Sequence, residues 1–193
     1  VAVFVGNYDK GGHKVSLNIT THKEGKSVDK KETILPLFNS TNVMEMAGQE
    51  YGTMFSNEKG LEVTFSLSKD LKDAKLRYIT TGHGGWSGGD EFVPKENTIW
   101  LDGKVATAFT PWRQDCGSYR LSNPASGNFE SGLSSSDLSR SNWCPGTVTN
   151  PNLINLGDLK AGSHTIKVTI PLGKREGSSF SAWNVSGILI GTE

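Results

Sequence analysis

Alternation of period two runs through most of this chain, and it limits what the chain can fold into. Lys14-Val15-Ser16-Leu17-Asn18-Ile19-Thr20 alternates polar and apolar residues, as does Leu61-Glu62-Val63-Thr64-Phe65-Ser66-Leu67. His164–Ile170 repeats the pattern, and Trp183–Ile190 closes it. Successive side chains of a strand point to opposite faces, so these segments read as antiparallel strands with one face packed and one wet. Val1–Val5, Ala74–Thr80 and Thr98–Leu101 add further strand-like runs. Asp102-Gly103, between Ile99–Leu101 and Val105–Thr107, predicts a tight hairpin turn. Asn57–Gly60 and Lys160–Ser163 supply two more turns. Helix signals are confined to two places. Val43–Ala47 reads as a helical turn or as another strand, and Ser134–Arg140 could hold one capped turn. Eight or nine short strands with long rim loops predict an all-β fold, an antiparallel β-sandwich of jelly-roll type. Residues 1–193 are expected to form it as a single domain, with the first sixty as its opening strands.

The 20 basic and 20 acidic residues cancel, which argues against a nucleic-acid partner. No apolar run has the length of a membrane span, and no signal peptide is recognisable. The opening at Val1, without an initiating methionine, reads as a processed product or a fragment.

Both cysteines, Cys116 and Cys144, lie in the longest stretch without periodicity, from Pro111 to Asn152. A disulfide there would clamp a long irregular loop, worth roughly 3–4 kcal/mol by the chain-entropy model. It would place the protein outside the cytosol: secreted, periplasmic or at the cell surface. Two buried thiols in a cytosolic protein are the alternative. The bond would bring Trp112 and Arg113 beside Arg140 and Trp143.

One loop stands out chemically. Gly82-His83-Gly84-Gly85-Trp86-Ser87-Gly88-Gly89 is too glycine-rich for the interior of a strand or helix, and it ends in two carboxylates, Asp90 and Glu91. Loops held by rigid sheets are where binding and catalytic groups concentrate. An arginine such as Arg140 near Glu91 would orient the carboxylate and lower its pKa. Tryptophans beside such groups offer apolar faces suited to sugars or peptides. The bland reading is that Trp143 packs on the disulfide and Arg140 makes a surface ion pair. Trp100 and Trp183 lie in strand patterns and are expected in the core.

Leu76-Arg77, Thr81-Gly82-His83-Gly84, Asp90-Glu91-Phe92, Asn97-Thr98-Ile99, Cys116 and Trp143-Cys144-Pro145-Gly146 together resemble the C-terminal domain of the peptide-N-glycosidase F family. The likeness runs from about Leu61 to Ile190 and is weaker before that. It implies an amidase that splits the bond between a glycosylated asparagine and its first N-acetylglucosamine. Two jelly rolls would lie side by side with the active site between them, and no metal or cofactor would take part. Position by position, Glu91 falls on a catalytic glutamate, Arg140 on an arginine supporting it, and Trp143 on a tryptophan beside the second disulfide cysteine. Gly82 and Gly84 fall on loop glycines at the cleft rim, where they would let a bulky glycan approach the backbone. His83 stands where a family member has tryptophan. His83, Gly84, Trp86, Asp90, Arg140 and Trp143 are thus the expected substrate-binding residues, and Cys116 and Cys144 match the family's long-loop disulfide.

Two departures matter. A small disulfide around the glutamate is missing, its positions being Gly89 and Val93, and Phe92 follows the glutamate where tryptophan is usual. The family's catalytic aspartate belongs to an N-terminal jelly roll absent from this sequence, so the expected partners are that domain and an N-glycosylated peptide or protein. A non-catalytic carbohydrate- or peptide-binding jelly roll is the competing reading. A copper site like that of related paired jelly rolls would need clustered ligands, whereas His13, His22, His83 and His164 are dispersed.

Overall fold

The structure is a computed structural model that describes residues 16–22, 31–40, 54–55, 59–123 and 137–193. The chain divides into two compact units, Val1–Lys30 and Lys31–Glu193. In the first, residues 16–22 are exposed and without regular secondary structure. The strand expected over Lys14–Thr20 is therefore not formed over its described part. Alternation sorts side chains, but a strand also needs a neighbour for its backbone groups. The expected elements at Val1–Val5 and Val43–Ala47 lie outside the described residues, as do the first three residues of Ser134–Arg140.

Among its described residues the second unit holds eight strands: β1 Glu32–Asn39, β2 Leu61–Leu67, β3 Leu71–His83, β4 Asn97–Leu101, β5 Lys104–Phe109, β6 Asn152–Leu159, β7 Gly162–Thr169 and β8 Ala182–Thr192. They form two four-stranded antiparallel sheets, ordered β1-β8-β3-β6 and β2-β7-β4-β5. Strand pairs are nested: β1 with β8, β2 with β7, β3 with β6 and β4 with β5. That nesting is a jelly roll.

The inward positions of the alternating strands meet between the sheets. Leu76 and Tyr78 of β3 pack with Trp183, Val185 and Leu189 of β8 and with Ile99, Ile166 and Val168 of the other sheet. Burial of each aliphatic side chain contributes about 1.5–3 kcal/mol. Gly187 makes room for the Phe38 ring, since a Cβ there would sit 2.3 Å from it. The sheets are also tied by polar groups. Tyr78 Oη and Thr80 Oγ1 each donate to Asn97 Oδ1 at 2.9 Å, and Asn97 is fully buried. Burial pushes the Tyr78 hydroxyl pKa well above its ordinary value, so it remains a donor. Trp183 belongs to this core as expected, but Trp100 does not. Ile99 takes the inward position, so Trp100 faces outward, half-buried, under the Lys167 ammonium.

The nesting also sorts the connections. Those after β2, β4 and β6 are short turns at one end of the sandwich. Asp102 and Gly103 both have positive φ, 48° and 78°, in the hairpin their sequence predicts. Those after β3, β5 and β7 are long and share the opposite rim.

Candidate functional site

The rim site begins where β3 runs past the end of β6. The last β6 partner on β3 is Tyr78, while β8 continues alongside as far as His83. The segment after Arg140 takes over the vacated edge. Gly82 N–H donates to Ser141 O (3.0 Å), Asn142 Nδ2 to Thr80 O (2.8 Å) and Trp143 Nε1 to Gly82 O (3.0 Å). Asn142 has a φ of 65°, a conformation asparagine tolerates better than most residues. The Cys116–Cys144 disulfide anchors this segment to a 3-10 helix, Cys116–Ser122. Arg113 and Arg140 exchange backbone hydrogen bonds of 2.8 and 3.0 Å, so the expected neighbourhood of the two arginines exists. Their side chains part, however. Arg113 grips Asp115 with two bonds (2.9 and 2.6 Å) and holds that carboxyl down at a pKa of about 2. Arg140 goes to Glu91.

The two adjacent carboxylates have opposite fates. Asp90 is expected among the substrate-binding residues, but its side chain has no exposed surface. Oδ2 accepts from Trp183 Nε1 and Oδ1 from Gly173 N–H, each at 2.9 Å, with Lys95 Nζ 3.7 Å away. Its own N–H donates to Ser181 Oγ (3.0 Å) and its carbonyl accepts from Ser141 Oγ. Asp90 is thus the hub joining three rim loops and is closed to a ligand. The loop reverses after it, and Glu91 emerges half-buried at the rim.

The glycines serve this fold of the loop on itself. A Cβ on Gly89 would lie 2.0 Å from Gly84 O, and one on Gly82 2.7 Å from Ser141 Cβ. At these positions the space expected for a glycan is filled by the protein itself. Gly85 and Gly88 remain exposed, with a Cβ on Gly85 meeting only Glu91 Oε2 at 3.7 Å. Trp86 is half-buried, its ring packed over Gly84.

Glu91 Oε1 is bonded by Arg140 Nη1, with only 4% of the arginine side chain and 13% of the glutamate side chain exposed. The Gly84 backbone amide also favours the charged carboxylate. Arg140 does pull the Glu91 pKa down, but burial outweighs it and the net shift is upward. The simple expectation of a depressed carboxylate is corrected on that point. Burial lowers the Arg140 pKa as well, against the pull of Glu91. The guanidinium lies over two aromatic rings, 4.6 Å from the Trp143 ring centre and 5.1 Å from that of Phe92. On Trp143 the His83 ring is stacked, with centres 5.3 Å apart and planes at 30°. His83 Nε2 lies 2.8 Å from Thr81 Oγ1 and 3.4 Å from Asn184 Nδ2. Burial, and then the charge of Arg140, lower the His83 pKa to about 4, so the ring is neutral near pH 7.

The structure therefore brings Glu91, Arg140, Trp143, His83 and Gly84 together, with Trp86 beside them, and turns Asp90 away. The sequence gives no warning of the parts played by Ser141 and Phe92. Ser141 sits in a serine-rich stretch that reads as an ordered loop clamped by the cysteines, and Phe92 enters only as a departure from the family pattern, so neither is assigned a contact. Among the described residues no group of three or more His, Cys, Asp and Glu side chains could hold a metal ion. Nor is any described helix long and apolar enough to cross a membrane.

An eight-stranded jelly roll with a desolvated carboxylate–guanidinium pair at its loop rim defines the class of module. Residues 50–190 match the family model described as "Peptide-N-glycosidase F, C terminal", and the chain belongs to that family. Among solved structures it is similar to PNGF-II, with 73% identity and a TM-score of 0.79 over 88% of this chain and 31% of that one. It shares the fold, at 17% identity and TM-score 0.60, of PNGase F, a glycosylasparaginase from Flavobacterium meningosepticum, over 84% of this chain and 52% of that one. The chain thus spans about a third to a half of these relatives. No match is found among curated proteins.

Proposed function

We propose that this chain forms one wall of the active site of an N-glycan amidase and that a second, N-terminal jelly roll supplies the other. In the reaction, water adds to the side-chain amide carbon of a glycosylated asparagine. The carbon–nitrogen bond breaks, the asparagine becomes aspartate, and the glycan leaves as a glycosylamine. Glu91 polarises the attacking water or the scissile amide, Arg140 fixes its orientation, and Trp143 and Trp86 shape the sugar cleft. The observation that carries this reading is the rim position of Glu91. It is the one carboxylate of the adjacent pair that remains open to a ligand, and Arg140 holds it in one orientation. Burial raises its pKa above the ordinary carboxylate value, against the pull of Arg140. The aspartate of the partner domain completes the chemistry, and the disulfide fits a secreted or periplasmic setting.

The test is release of glycans from a denatured glycopeptide by the full-length protein and its Glu91→Gln variant. Glutamine should lower kcat by about 10²–10⁴-fold. Retained turnover would remove Glu91 from the mechanism. Undiminished glycopeptide binding by an enzyme that never turns over would leave only a binding module. Strong activity of residues 1–193 alone would contradict the shared site.

A further inference from the structure

His83 is expected to touch substrate, yet its surroundings describe a different task. Its ring stacks on Trp143, and the Arg140 guanidinium lies 4.6 Å from the centre of the same indole and 5.1 Å from that of Phe92. His83, Trp143 and Arg140 thus form one series of contacts that ends on Glu91, which is bonded to the guanidinium. The two rings at its start are held by the end of β3 and by β8. Trp143 is pinned through Nε1 to Gly82 O, and His83 is flanked at Nε2 by Thr81 on β3 and Asn184 on β8. This series of contacts therefore runs from the end of a rigid sheet to the Glu91 carboxylate.

We propose that His83 is a positioning residue for the amidase site, acting through Trp143 on Arg140 and so on the orientation of Glu91. This rests on the amidase reading above. Aromatic pairs prefer offset, stacked or tilted geometries, and a flat neutral ring on Trp143 fixes the tilt of the indole beneath the guanidinium. Removing that ring loosens the indole and with it Arg140, while every side chain assigned to the substrate or the reacting atoms remains present. An aromatic ring of similar width should serve as well as imidazole, whatever its hydrogen bonds.

The experiment compares His83→Leu with His83→Phe in the full-length protein, with Glu91→Gln as reference. The leucine variant should lose kcat by about 10- to 100-fold, the scale of a slight misplacement of a catalytic group, with KM nearly unchanged. The phenylalanine variant should keep kcat within about threefold of wild type. The Trp143 indole N–H resonance should shift and broaden in the leucine variant and stay sharp in the phenylalanine variant. If the leucine variant does not fold, His83→Gln, which keeps a polar head but no ring, replaces it. A rise in KM with kcat unchanged would make His83 a substrate contact and overturn the proposal. Equal losses for leucine and phenylalanine would overturn it too, since the ring would then not be what matters. Failure of the amidase reading itself would show separately, as turnover that survives Glu91→Gln.

Discussion

The two ends of the sandwich hold their charges in contrasting ways. At the turn end, Lys160 pairs with Asp70 (2.8 Å), Lys72 with Asp158 (2.5 Å) and His164 with Asp102 (2.7 Å), and the carboxylate of each pair is largely exposed. These contacts stitch neighbouring hairpin turns, and water screens them. At the loop end, Asp90 and the Arg140–Glu91 pair are withdrawn from water and held by backbone amides, an indole N–H and aromatic faces. Coulombic attraction is stronger there, but so is the cost of desolvation, and both partners of the pair are shifted toward neutrality. Charges at the first end can be removed singly with little consequence, whereas those at the second depend on one another.

The sharpest way to break this contrast is Arg140→Leu. It leaves Glu91 partly buried without its cation and should cost about 3 kcal/mol in denaturant unfolding, along with nearly all turnover. A loss no larger than that of a surface substitution would mean that the two ends do not differ in kind. Asp90→Ala comes next. Trp183 Nε1 and Gly173 N–H would lose their acceptor, for a cost of about 2–3 kcal/mol. Turnover per folded molecule should fall only as far as the rim loops loosen.

The two histidines then sharpen the contrast through pH. The His83 pKa is lowered to about 4, so its contribution to stability is present above the ordinary value near 6.5 and is lost as pH falls from there toward 4. The His164 pKa is raised, by its bond to Lys160 O and then by Asp102, so its contribution is present below about 6.5 and is lost as pH rises through the folded value. Melting temperatures of His83→Phe and His164→Asn, each compared with wild type across that range, should therefore diverge in opposite directions. Parallel curves would contradict one of the two environments. The smallest effect belongs to Lys72→Ala. It should leave the melting temperature within measurement error, because both partners of its pair lie in water.

Sequence periodicity revealed the middle strands of both sheets and the edge strands β2 and β5, but missed the other two edges, β1 and β6. Pro36 interrupts β1, and proline argues against a strand unless that strand lies at an edge or a bulge. Here both conditions hold, with a register shift between Pro36 and Phe38. In β6 an extra residue breaks the alternation where Gly157, at φ 73°, faces Ala74 of β3. At the site, the residue types of Glu91, Arg140 and Trp143 were legible through family resemblance. The inward turn of Asp90 was not, because a glycine-rich loop has no periodicity to assign facing. The direction of the Glu91 shift was hidden for a related reason: a neighbouring arginine can be guessed from sequence, but the depth of burial that outweighs it cannot.

The nested strand order bears on how such a chain is made. β8 is the last of the eight strands in sequence, yet it lies inside its sheet between β1 and β3. As the ribosome delivers the chain, the facing edges of β1 and β3, with their unpaired backbone N–H and C=O groups, must wait for residues 182–192 before they are covered. Contacts of this long range fold slowly and leave the unfinished sheet open to aggregation. A stop codon just before Ala182 would therefore take out a keystone rather than trim an end. The rim site would go with it, since Asp90 would lose Trp183 and His83 would lose Asn184.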